Sequence, residues 1–150
     1  MKKIKKSVLF ICADQWRFDC FSFLNHQYAL TPNLDKLAKK SVIFKSHFAG
    51  IVPCGPSRTT MLTGLYPFIH RSVYNGAPLD KRFTNIAKEA RKLNYNPSLY
   101  GYTDTSWDPR YLDPKDKKNF TYESPMEGFD DGCVLPGGKP EPWANHLNQN

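Results

Sequence analysis

The sequence predicts an α/β fold with a mostly parallel central sheet flanked by helices, and three observations carry that reading. The stretch "SVLFICAD", residues 7–14, is a continuous apolar run closed by a carboxylate, the pattern of a strand buried on both faces. Helix-period segments alternate with this run and with two further strand-like stretches, the order of a βαβ framework. With 150 residues, 40% of them hydrophobic, the chain has the apolar material for one domain with a packed core.

The elements follow in order. Residues 1–6, "MKKIKK", form a basic, solvated terminus that holds four lysines and much of the net charge of +7. The other basic residues are scattered and do not interleave with aromatics along one face, so no nucleic-acid partner is expected. A small anionic substrate fits the balance better. The apolar run at 8–13 is short and meets Asp14 without a small-residue cleavage site, so it reads as a strand rather than a secretory signal. Asp14 then stands at a strand's carboxyl end, where open α/β sheets bind ligands. No segment approaches membrane-spanning length, so no membrane partner is expected. The cysteines at 12, 20, 54 and 133 make no CxxC or zinc spacing, which points to a reduced, cytoplasmic setting.

"TPNLDKLAKKS" predicts a short amphipathic helix with Thr31 as N-cap and Pro32 at the first helical position. "VIFKSHF" reads as a second strand. "TNIAKEARKL" predicts a second amphipathic helix, with Ile86, Ala90 and Leu93 along its apolar face. "NPSLYGYTD" returns to the sheet. From about residue 107 to 150 lie six of the twelve prolines and no sustained period, so this segment is expected to be irregular. The unterminated ending "NHLNQN" suggests a fragment.

The chemistry concentrates at "IVPCGPSRTTMLTG". Pro53 and Pro56 restrict the backbone on either side of Cys54, and Gly55 permits a sharp turn, so Cys54 is expected at the mouth of a helix starting near Ser57. Arg58 follows one helical turn later. Backbone amides, the helix dipole and Arg58 together favour an oxyanion at that corner. The alternative is a small core thiol beside a surface arginine. A phosphatase loop with a thiolate nucleophile is excluded, because it needs five residues between Cys and Arg and this chain has three.

The stretch "CGPSRTTMLTG" resembles the sulfatase signature, C-x-P-S-R followed by a Leu-Thr-Gly helix. The resemblance extends through "FICADQWR", "TPNLDKLAKKSVIFKSHF" and "TGLYPFIHRS", covering roughly residues 7 to 110. "ADQWRFDC", "VPCGPSR", "HRSVYNGAPLD" and "GYTDTSWDPR" are most similar to the phosphonate monoester hydrolase branch of that family. Gln15 stands where ordinary sulfatases carry a second Asp, and "GYTD" where they tend to carry Gly-Lys-x-His. Asp104 departs from the branch, which has a hydroxyl residue there, and an added carboxylate fits poorly beside an anionic substrate.

This resemblance implies the amino-terminal part of a sulfatase catalytic domain over residues 1–150, within an alkaline-phosphatase-like sandwich. It implies hydrolysis of sulfate or phosphonate esters by a formylglycine nucleophile derived from Cys54, with a divalent metal, calcium or manganese, held in part by Asp14 and by the modified Cys54. Arg58 would stabilise the aldehyde hydrate and the developing negative charge, while Gln15, Asn75 and Tyr102 would bind substrate. A formylglycine-generating maturation enzyme would be the required partner. The remaining metal ligands of such a site lie far downstream in the family, so the 150 residues alone are expected to be inactive. The competing class is a non-catalytic remnant of the fold that binds an anion or a partner. Asn75 could equally be a turn residue and Tyr102 a buried strand tyrosine, and His70 reads as a packing or capping residue.

Overall fold

The structure is a computed structural model that describes residues 6–121, 123, 125–135 and 139–149. It divides into two compact units, residues 1–47 and 48–150. Of the basic terminus, only Lys6 falls among the described residues.

The first unit holds one helix, α1 (Pro32–Ala38), preceded by a short 3₁₀ turn at Ser22–Leu24. Thr31 is the N-cap with Pro32 next, as the sequence predicts, but its hydroxyl does not bond the helix amides. It instead donates to Asp35 Oδ1 at 3.1 Å and accepts from the Ser22 backbone N–H at 3.0 Å, stapling the helix to the 3₁₀ turn.

Two expected strands are absent among the described residues. Residues 8–13 run as irregular chain with Val8 and Leu9 82% and 85% exposed, and residues 42–48 are likewise irregular. Asp14 consequently lies in a turn, not at a strand's end. The physical reason is that an apolar run becomes a strand only where a neighbour satisfies its ladder of N–H and C=O groups. Among the described residues the only strands pair with each other, and neither run is paired.

Among its described residues the second unit carries the parallel pair β1 (Ser98–Gly101) and β2 (Asp130–Val134) and the helices α2 (Cys54–Thr63), α3 (Pro67–His70), α4 (Ile86–Lys92) and α5 (Glu141–Gln149). The α/β class therefore stands, with β1 where "NPSLYGYTD" places it. The register pairs Leu99 with Asp131 and Tyr100 with Cys133, and Gly132 is the extra residue between them. A Cβ on Gly132 would meet the Tyr100 ring at 2.7 Å, so the bulge needs glycine there. The segment after 107 is more ordered than its prolines suggest. It contains β2, α5 and two 3₁₀ turns capped by the side chains of Asp108 and Asp116. Residues 136–138 of the "PGGKPEP" stretch lie outside the described residues.

Helix α4 forms where expected, but with a different buried face. Ala87 is 1% exposed while Ile86 and Leu93 are 53% and 66% exposed. Asn85 explains this: its Oδ1 accepts from the Ala87 and Lys88 amides, and its Nδ2 donates to the Glu127 carbonyl at 2.8 Å. That tie brings Gly128 (φ +107°) so close that an added Cβ would lie 3.2 Å from the Ala87 Cβ. The helix packs on its alanine because the 126–128 turn docks there.

The candidate active site

The site is built from the first turn of α2 and two segments that flank it, all within the second unit. The helix begins at Cys54, three residues earlier than the sequence suggests, with Pro53 as N-cap. Proline offers no side-chain acceptor for the orphan amides of the first turn. Asn75 supplies one from 20 residues away, its Oδ1 accepting from the Gly55 N–H at 2.8 Å. Pro56 has no N–H, and the Ser57 amide bonds back to the Pro53 carbonyl at 3.1 Å. The amides expected to cradle an anion are thus partly committed, and the corner depends more on side chains than the sequence implies.

Asn75 sits in the turn closed by the Ala77 amide on the Tyr74 carbonyl, and its side-chain oxygen serves as a long-range cap. Asn75→Ala is expected to destabilise the chain by about 1 kcal/mol, the usual loss for removing a helix-capping side chain. Urea denaturation of the two proteins measures it. An unchanged midpoint would show that water replaces the cap at no cost.

Gly55 is required by packing. A Cβ there would lie 2.6 Å from the Asp104 carbonyl oxygen and 3.0 Å from the Asn75 Cα, both backbone atoms that cannot swing away. The same Asp104 carbonyl accepts from the Gly76 N–H at 2.9 Å, and the Leu79 N–H reaches the Ser106 carbonyl at 3.3 Å. Segments 75–79 and 104–106 therefore run side by side against the helix start.

Arg58 follows Cys54 by four residues in α2, which puts both on one face. Its side chain is 13% exposed and held on three sides. Nη1 donates to the Tyr102 carbonyl at 2.9 Å, the guanidinium carbon lies 4.4 Å from the centre of the Tyr102 ring, and Nε lies 3.7 Å from Asp104 Oδ2. The stacked, planar cation cannot turn away, so an anion at the helix start would meet it already oriented. Tyr102 is half-buried just beyond β1, so it is not a buried strand tyrosine. Asp104 is the neighbour that sequence reasoning noticed only as a misfit. It adopts a left-handed backbone (φ +54°), which aspartate tolerates and β-branched residues do not.

Behind the helix, His70 is 3% exposed. Its Nδ1 accepts from the Ser72 amide at 3.0 Å, which leaves the proton on Nε2 to face Thr60 Oγ1 at 2.9 Å; that hydroxyl donates to the Pro56 carbonyl at 3.1 Å. His70 thus props the proline of the motif, a packing role as expected. Burial lowers its pKa below the ordinary histidine value. Because the folded-state pKa is depressed, the stability contribution is complete above about pH 6.5 and is lost as pH falls below that value. The urea midpoint is therefore expected to drop between pH 7.5 and 5.5, and His70→Gln to flatten the slope. An equal slope in that variant would assign the dependence to other groups.

Asp14 and Gln15 belong to the first unit, where both are exposed and Gln15 takes a left-handed backbone (φ +54°). Among the described residues no group of three His, Cys, Asp or Glu side chains is gathered that could hold a metal ion. The carboxylate of Asp14 is a hard oxygen donor of the right kind, yet one carboxylate and a thiol fall well short of the roughly six oxygen ligands that calcium takes. The described residues do not by themselves fit a divalent metal. No described helix is long and apolar enough to cross a membrane.

Residues 6–138 match the sulfatase family model, and the chain belongs to that family. It is 42% identical over 130 residues to the multifunctional alkaline phosphatase superfamily protein PehA of Trinickia caryophylli, covering 83% of this chain and 25% of the relative. It is 33% identical to the human N-sulphoglucosamine sulphohydrolase over 89% of this chain and 26% of that protein. The crystal structure of the phosphonate monoester hydrolase of Agrobacterium radiobacter superposes with a TM-score of 0.82 at 47% identity, over 91% of this chain and 27% of that one. The α/β fold is therefore that of the alkaline-phosphatase-like hydrolases. The chain spans about a quarter of the length of the relatives it matches.

Proposed function

We propose that the chain supplies the amino-terminal part of the catalytic domain of a hydrolase of sulfate or phosphonate esters, with Cys54 converted to formylglycine as its nucleophile. The observation that carries the reading is the intact C-G-P-S-R motif on the first turn of α2, with Arg58 held rigid one turn later by Tyr102. A maturation enzyme, supplying an external two-electron oxidant, would convert the Cys54 Cβ to an aldehyde and release the sulfur as sulfide, and the aldehyde hydrates to a geminal diol. One hydroxyl attacks sulfur or phosphorus as the ester oxygen leaves, and the other lets the carbon collapse to the aldehyde and expel the bound oxyanion. Arg58 offsets the negative charge that builds on the non-bridging oxygens.

Asn75, whose Oδ1 accepts from the Gly55 amide, is proposed with Gln15 and Tyr102 to line the ester pocket. Asp14 is proposed as one oxygen ligand of a divalent metal, calcium or manganese, whose other ligands the described residues do not supply. Peptide mass spectrometry of the tryptic fragment ending at Arg58, from a host that matures sulfatases, tests the proposal. The aldehyde mass is expected at Cys54. A fully alkylatable thiol there would favour the competing reading, a domain that keeps the fold and binds anions without turnover.

A further inference from the structure

We propose that Asp104 is the positioning residue for Arg58 and the charge filter of the anion site, restricting it to substrates with a single negative charge. The inference rests on the functional reading above, since it concerns the same site. Three observations support it. The Asp104 carboxylate is 9% exposed and lies 3.7 Å from Arg58 Nε, so the pair faces each other with little water to screen it. The backbone that delivers it is fixed: its φ of +54°, the Gly76 amide on its carbonyl and the absence of a Cβ on Gly55 hold residue 104 against the start of α2. The Tyr102 carbonyl and ring, which also hold the guanidinium, are neutral and leave its charge in place, whereas the Asp104 carboxylate offsets it.

A phosphodiester, a phosphonate monoester and a sulfate monoester each bring one negative charge. A phosphate monoester brings nearly two above its second pKa of about 6. With Arg58 offset by Asp104, the second charge meets a carboxylate that repels it. The backbone also decides how this can be tested. Threonine would be strained at φ +54°, whereas asparagine and glycine accept that conformation.

The experiment compares the full-length protein with Asp104→Asn and Asp104→Gly at pH 8. The ratio of kcat/KM for an aryl phosphate monoester to that for an aryl phosphonate monoester is read alongside calorimetric affinities for methyl phosphate and dimethyl phosphate. Asparagine keeps the shape and an acceptor for Arg58 while removing the charge. It is expected to raise both dianion-to-monoanion ratios by about tenfold. Glycine removes the hold as well and is expected to raise the ratios and also lower kcat for every ester. Ratios that move less than about twofold in both variants overturn the proposal. If no ester is turned over by any form but the affinity ratio shifts as stated, the charge filter stands and the hydrolase reading fails. If turnover is present and both ratios stay fixed, the reverse holds.

Discussion

Replacing Cys54 with serine in the full-length protein is expected to lower multiple turnover of its ester substrates by about a thousandfold or more. Stability should change by less than about 0.5 kcal/mol. The second expectation follows from position: Cys54 is the first residue of α2, half-buried, and a hydroxyl fits where a thiol sits. The first follows from chemistry. A serine hydroxyl can attack sulfur or phosphorus once, but it has no second hydroxyl on the same carbon with which to expel the bound group. A stoichiometric burst followed by arrest is expected, with the sulfated or phosphonylated peptide around the substituted position visible by mass spectrometry. Turnover near the wild-type rate would show that Cys54 is not the precursor of the nucleophile.

What the sequence made legible was local. The motif helix, α1 with Pro32 at its first position, α4 and β1 each follow from residues adjacent in the chain, whose backbone preferences and periodicity act over a single turn. Elements that depend on distant partners were misread. The apolar run at 8–13 has the composition of a buried strand, yet composition cannot supply the neighbour a ladder needs. β2 was missed because "DDGCV" lacks apolar alternation and forms by pairing with β1 around a glycine bulge. That Cys54 and Arg58 share one face of α2 was legible from their four-residue spacing. The hold of Tyr102 and Asp104 on Arg58 spans more than forty residues, and Asp104 signalled itself only by being a carboxylate where an anion should bind.

That hold leads to the second large effect. Arg58→Ala removes the bond to the Tyr102 carbonyl and the stacked contact with its ring, and it takes the facing guanidinium away from a nearly buried carboxylate. The expected cost is about 3 kcal/mol of stability, since deleting one member of a buried ion pair leaves the other charge uncompensated. Activity of the full-length protein should also fall by about a hundredfold or more through lost stabilisation of developing oxyanion charge. The two losses separate in the double variant Arg58→Ala/Asp104→Asn. Neutralising residue 104 removes the stranded charge, so the double variant should regain at least about 1 kcal/mol over Arg58→Ala alone. It should regain none of the activity, because the cation that meets the substrate is still missing. Urea denaturation and kcat/KM on the four proteins of the cycle measure both quantities. A double variant no more stable than Arg58→Ala would mean that the Asp104 carboxylate is held by groups other than Arg58. Recovered activity would mean that Arg58 serves only to neutralise Asp104 and never touches the substrate.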